Sequence, residues 1–164
     1  MKLSEGVEQA IHCVTMLTGL SPEGVLSAAA LAEYHGVSTS YLLKHLQALS
    51  GAGILETVPG PKGGYRLARA ADRITLLDIV LAVEGPEPAF RCAEIRRRGP
   101  RPASARMLKN PCAINTAMLR AEEAYRAELQ RISIADIVAD VAAHDDGSIA
   151  RRGCAFIAAN ERGS

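Results

Sequence analysis

The chain has no tryptophan, two phenylalanines and four tyrosines, so aromatics make up 4% of its 164 residues. A core built from it must be aliphatic. With 48% hydrophobic residues there is enough Leu, Ile, Val and Ala for one compact domain plus an appendage. There is no surplus of either charge, since the net charge is +1. That excludes a uniformly basic surface, so any nucleic-acid contact has to come from local patterning. No apolar run is long enough to cross a membrane, and the opening residues lack a signal-peptide pattern; a cytoplasmic protein with no membrane partner is expected. Cysteine is scarce as well, at Cys13, Cys92, Cys112 and Cys154. In a reducing compartment four thiols point to metal binding or redox chemistry rather than to structural disulfides. No nucleophile–base pair emerges, and the glycines of Gly63-Gly64 are not followed by the Lys-Ser/Thr ending of a phosphate loop. An enzyme is not expected.

What is present is concentrated between Ser38 and Leu67. Leu42, Leu46 and Leu49 recur at helical spacing after Ser38, which reads as an N-cap, and Gly51 and Gly53 stop the helix. Two short strands follow, Ile54 to Val58 and Tyr65 to Ala68, around a Pro/Gly-rich tip whose glycines suit a hairpin turn. Upstream, Ser27 can cap a helix from Ala28 to His35, and Gly36 can end it. Two short helices joined at a glycine, then a glycine-tipped ribbon, give a winged helix-turn-helix. Such a head places its second helix in a DNA major groove. The side chains available there are Ser38, Thr39, Ser40, Tyr41, Lys44 and His45, and the wing offers Lys62, Gly63, Tyr65 and Arg66. Ser38 suits capping better than base contact.

The remaining elements are expected as follows. A first helix runs from Ser4 to about Thr18 with Val7, Ala10, Ile11, Val14 and Leu17 inward, and Val25-Leu26 adds a third strand to the wing. Thr75 caps a helix to Glu84, closing a DNA-binding domain over 1–85. Residues 86–110 form a loop with at most one helical turn, in which Arg91, Arg96, Arg97, Arg98, Arg101, Arg106 and Lys109 face one acid, Glu94. Asn110 and Pro111 start a long helix whose stripe is Ile114, Ala117, Met118, Ala121, Tyr125, Leu129 and Ile132, with Glu122, Glu123, Arg126 and Glu128 facing away. A stripe of this kind outside a small domain suggests a homodimer interface, and a palindromic operator needs two reading heads. Ser133 caps a short last helix, making 111–143 the dimerisation segment; 144–164 is a tail with a helix near Cys154 to Asn160. The fold class is mainly α with a small β-wing.

Several words in this order resemble the Rrf2 family of bacterial transcription regulators. They are Met1-Lys2-Leu3-Ser4, Ser40-Tyr41-Leu42, Gly63-Gly64-Tyr65-Arg66-Leu67-Ala68-Arg69, Ile74-Thr75-Leu76-Leu77-Asp78-Ile79-Val80 and Ile134-Ala135-Asp136-Ile137-Val138. The resemblance implies a dimeric regulator, here a repressor, and many members sense redox state, nitric oxide or iron supply through a cluster. Family members often carry three closely spaced cysteines in the loop. Here Arg96, Arg97, Arg98, Ser104 and Arg106 stand in that region, which argues against an all-cysteine site.

On residues alone, Glu8 and His12 are an exposed pair one helical turn apart, and Cys112 is a first-turn residue whose thiolate the helix dipole favours. The resemblance turns them into ligands. It implies a [2Fe–2S] cluster held by Cys92, Cys112, His12 and Glu8, with imidazole replacing thiolate on one iron and the first helix supplied by the partner subunit. Two alternatives stay open. One is a cluster-free switch in which Cys92 and Cys112 close a disulfide. The other is an iron–sulfur carrier or interaction module whose winged helix contacts proteins. Cys13 is expected in the core, and Cys154 has no assigned role.

Overall fold

A computed structural model describes residues 3–163. Met1 and Lys2 of the opening word, and Ser164 of the tail, lie outside the described residues. The chain forms two compact units, one of residues 87–128 and one that joins 3–86 to 129–163.

In the larger unit, α1 (Glu5–Leu17) buries Val7, Ala10, Cys13, Val14 and Leu17. Ser4 precedes it and donates its backbone N–H to Glu84 at 2.9 Å. The Ser27 hydroxyl accepts from the Ala30 amide at 3.1 Å, which caps α2 (Ala28–His35). Gly36 closes that helix at φ 65°, a left-handed conformation that suits a residue without Cβ. Val37 then bonds back to the Ala32 carbonyl at 3.0 Å, fixing the short turn into α3 (Thr39–Gly51). Leu42, Leu46 and Leu49 of α3 are fully buried, as their spacing requires.

The wing is an antiparallel pair, β2 (Leu55–Val58) and β3 (Gly64–Leu67), in register from Leu55 opposite Leu67 to Val58 opposite Gly64. The expected third strand is reduced to one residue. Leu26 pairs with Tyr65 through bonds of 3.1 and 2.8 Å, whereas β1 (Gly24–Val25) pairs with β4 (Arg162–Gly163) at the end of the chain. Hydropathy did not point to that partner, because β4 is two residues long and polar.

Two capping boxes set the next helices. Thr75 and Asp78 cap α4 (Leu76–Glu84), and Ser133 and Asp136 cap α7 (Ile134–His144), each by reciprocal bonds of 2.8–3.1 Å. The two N-termini are tied by Leu76 N–H to the Ile132 carbonyl at 2.9 Å and Ile134 N–H to the Ile74 carbonyl at 2.8 Å. Ile74, Ile79 and Ile134 are thereby fully buried. α7 is not the last helix. The tail folds into α8 (Ser148–Asn160), which buries Ile157 and sets Phe156 against Tyr34 at 4.9 Å between ring centroids.

The unit of residues 87–128 holds the loop and most of the long helix. Two helical turns form in the loop where at most one was expected: a 3-10 turn at Ile95–Arg97 and α5 (Ala105–Leu108), capped by the Ser104 hydroxyl. The long helix, α6, spans Ala113–Arg131. It starts later than the Asn110-Pro111 reading because Cys112, not Asn110, stands at its head, with its carbonyl taking the Thr116 amide at 3.0 Å. Glu122 also departs from expectation. It is 9% exposed and faces the loop, where it accepts the Ala89 amide at 2.9 Å and pairs with Arg126 at 2.7 Å. Among the described residues, no helix is long and apolar enough to cross a membrane.

Candidate functional site

Two surfaces carry candidate chemistry, one in each unit. The first is built on α3 and the wing. Thr39, Ser40, Tyr41 and Lys44 are exposed along the first turns of α3, with Ser38 exposed just before them. The Ser38 side chain does not cap the helix. Its hydroxyl lies 3.0 Å from that of Ser40, and this local pairing replaces the expected bond to a first-turn amide. Lys62 is exposed at the wing tip, beside Gly63, whose amide donates to the Gly60 carbonyl at 2.9 Å. Among the described residues, neither Lys44 nor Lys62 is in an ion pair.

Three residues of the expected contact set are engaged inside the fold. Tyr65 is buried at 8% exposure, and its backbone is held by Leu26. Arg66 is gripped by Glu56 at 2.9 and 3.1 Å and by Glu23 at 3.1 Å, so its charge is already matched by two carboxylates. The bond from Arg66 holds the Glu56 carboxyl below the usual carboxylate range. His45 is half-buried. Its ring covers Gly6 of α1, where there is no Cβ to keep it away, and meets Tyr41 edge-on at 4.7 Å. Burial, helped by Lys44 and opposed by Glu84, lowers its pKa. Among the described residues, its Nε2 is buried without a hydrogen-bond partner.

The second surface is the sulfur pair of the loop. The amide of Asn115, and then that of Ile114, point at the Cys112 thiol from the first turn of α6; Cys92 adds a hydrogen bond to it, and Arg96 adds positive charge. Together these outweigh partial burial and lower the Cys112 pKa. Arg96 feels both sulfurs and is held in place by a two-pronged bond to Glu94, at 2.6 and 2.8 Å, and by the Asn110 carbonyl at 3.1 Å. Glu94 sits at φ 47°, which is uncommon for a residue with a Cβ. Burial pushes the Glu122 carboxyl up, yet Arg126 and the amides of Ala89 and Phe90 outweigh it and keep the group ionised below the usual range. Glu122 thus ties the start of the loop to α6, and Arg96, oriented by Glu94, ties it to the Asn110 carbonyl at its end. On sequence, Arg96 is only one of a basic cluster that can meet phosphate, and Glu94 and Glu122 have no role at the sulfur site. The signals were there: one acid in a run of arginines, and a Glu–Arg pair four residues apart on a helix.

Glu8 and His12 are exposed on α1, one turn apart. The His12 ring lies 5.6 Å from that of His35, and both histidines line a cavity of about 530 Å³ with Glu5, Glu8, Gln9 and Arg152. Among the described residues of the single chain, no three His, Cys, Asp or Glu side chains gather as a metal ion would require. Cys92 and Cys112 are brought together; a third and fourth ligand are not supplied beside them. Cys13 is fully buried, as expected, and its thiol is pushed up to about 12 by burial. Cys154 is exposed.

Comparison with known proteins gives a consistent answer. The family profile described as "Rrf2: Iron-dependent Transcriptional regulator" matches residues 3–140. A relative from Lactococcus lactis, named as the HTH-type transcriptional regulator YffB, is 31% identical over 137 residues, covering 84% of this chain and 86% of that one. Among solved structures, the oxidized form of Staphylococcus aureus CymR superposes with a TM-score of 0.61 at 25% identity, over 84% of this chain and 96% of that one. IscR of T. potens superposes with a TM-score of 0.64 at 22% identity, over 92% and 96%, a likeness of fold.

Proposed function

Because this chain belongs to the Rrf2 family of transcription regulators, whose members bind DNA and are not enzymes, we propose that it is a cytoplasmic, homodimeric repressor of a palindromic operator, controlled by a redox centre at Cys92 and Cys112. Thr39, Ser40, Tyr41 and Lys44 enter the major groove, with Ser38 at its edge, while Lys62 and Gly63 approach the backbone from the wing. Tyr65, Arg66 and His45 act one step back: they hold the wing and the reading helix in place. Lys62→Ala is expected to weaken binding to all sequences alike. It should also lower the slope of log affinity against log salt by about 0.9 for each phosphate left without its cation. Titration across a salt series checks it.

The single observation that carries the redox reading is the sulfur pair itself: two adjacent thiols, one capped by helix amides, both beside Arg96. A site that favours thiolate at Cys112 and sets a second sulfur beside it suits a [2Fe–2S] cluster, with Cys92 and Cys112 as two ligands and His12 and Glu8 of the partner subunit as the others. When bound, the cluster supplies a one-electron redox change. The chain's own residues do the rest. The Asn115 and Ile114 amides stabilise the Cys112 sulfur as an anion, Arg96 offsets the charge, and Glu122 fixes the loop to α6. Glu8 and His12 are exposed on α1, which leaves their side chains open to a second copy of the chain.

The contact between the two thiols also favours a second reading, a disulfide switch without iron, and the CymR relative is known in an oxidized form. Anaerobic purification followed by iron and sulfide analysis and a visible spectrum separates the two. Colour with stoichiometric iron supports the cluster; a colourless, iron-free protein after reconstitution leaves the disulfide switch.

A further inference from the structure

The segment that follows the family match, described over residues 141–163, reaches back to the wing. α8 docks by Ile157, and Arg152 lies over the Tyr34 ring at 5.5 Å. Next, Glu161 accepts the amide and the hydroxyl of Ser21, each at 2.7 Å. β4 then pairs with β1, Val25 opposite Arg162. The Arg162 guanidinium donates to the Pro61 carbonyl at 3.4 Å, immediately before Lys62 at the tip. Arg162 is exposed and, among the described residues, has no carboxylate partner. Arg66, the arginine within the wing, has two.

We propose that Arg162 is a DNA-backbone contact: the tail delivers a second unpaired cation to the wing tip, where beside Lys62 it binds a backbone phosphate of its own flanking the operator. The proposal rests on the reading of α3 and the wing as a DNA-binding head. The balance of charge supports it. The carboxylates of Glu56 and Glu23 offset Arg66, so Lys62 would otherwise be the wing tip's single cation. A guanidinium forms two-pronged bonds to phosphate, and one weak bond to a carbonyl leaves its other N–H groups free. The strand that carries it is held by main-chain pairing and by Glu161, so its side chain can change without releasing the tail.

The test uses the full-length dimer and a duplex selected from a random pool by the unsubstituted protein. Arg162→Gln is expected to weaken binding roughly two- to thirtyfold, the range for two exposed ion pairs per dimer. It should also flatten the salt slope by about 1.8, or 0.9 for each subunit's phosphate. Arg162→Lys keeps the charge but not the two-pronged geometry, so it should restore the salt slope and only part of the affinity, with unchanged thermal unfolding in each variant. An unchanged slope in Arg162→Gln overturns the proposal, and so does a flattened slope that Arg162→Lys fails to restore, which would mark a structural role. If Lys62→Ala flattens the slope while Arg162→Gln does not, the wing binds DNA without the tail, and only this inference fails. If the unsubstituted protein selects no duplex, the DNA-binding reading fails and takes the inference with it.

Discussion

Cys112→Ala is expected to leave the anaerobically purified protein colourless, with iron and sulfide at background, while circular dichroism and thermal unfolding show a folded dimer. The Cys112 thiol is the sulfur most disposed to ionise, because the Asn115 and Ile114 amides and Arg96 all favour its anion. Removing it takes away the anionic donor and leaves the amides to water, which reaches them at an accessible helix end. The metal-free wild type provides a second readout. Alkylation by iodoacetamide tracks the thiolate fraction. Cys112 should therefore react with a pH midpoint below the ordinary value for a thiol, and ahead of Cys13. Arg96→Gln should move that midpoint upward, because the missing positive charge favoured the thiolate. Cys112→Ala protein that keeps its iron, or that no longer folds, would refute the ligand role.

Met118→Asp is expected to convert the dimer to a monomer and to weaken operator binding by roughly a hundredfold or more. Two linked heads gain about 10²–10⁴ in apparent affinity over one head, provided both can engage. Ile114 and Met118 lie one turn apart on α6 and are 65% and 43% exposed, with Leu119 beside them at 39%. The same stripe is half-buried further along, at Tyr125, Leu129 and Ile132. Aliphatic side chains uncovered on one half of a helix and packed on the other are what a second copy of that helix would cover. A carboxylate at Met118 would have to lose its water in the interface without a partner. Light scattering reads the mass, and titration of the selected duplex reads the affinity. A substituted protein that remains dimeric and binds normally would place the interface elsewhere.

The reading head was legible because its signals are local. The spacing of Leu42, Leu46 and Leu49, the Ser27 and Thr75 caps, and the glycines at 36 and 53 each act within a few residues, and the structure places them as read. The sulfur site was half legible. Two cysteines flanking an arginine-rich loop suggested their chemistry, but not that Arg96 would be steered by Glu94, or that Glu122 would turn inward. A helical wheel puts Glu122 with the polar residues; the amides of Ala89 and Phe90 and the Arg126 guanidinium explain its direction. Ser38 shows the reverse error, since a good capping residue found a nearer hydroxyl. The tail was least legible. β4 is two polar residues long, and its partner is more than a hundred positions away in sequence, so no pattern within a window could join them.

The depth of Cys13 gives this protein a built-in gauge of its own opening. Its sulfur is sealed in the aliphatic interior and held protonated, whereas the other three thiols meet solvent or lie near it. A reagent that modifies cysteines should mark those three on the native timescale and reach the fourth only when the interior comes apart. Mass spectrometry of that fourth adduct over time would then time the breathing of the reading head, with no dye or tag attached.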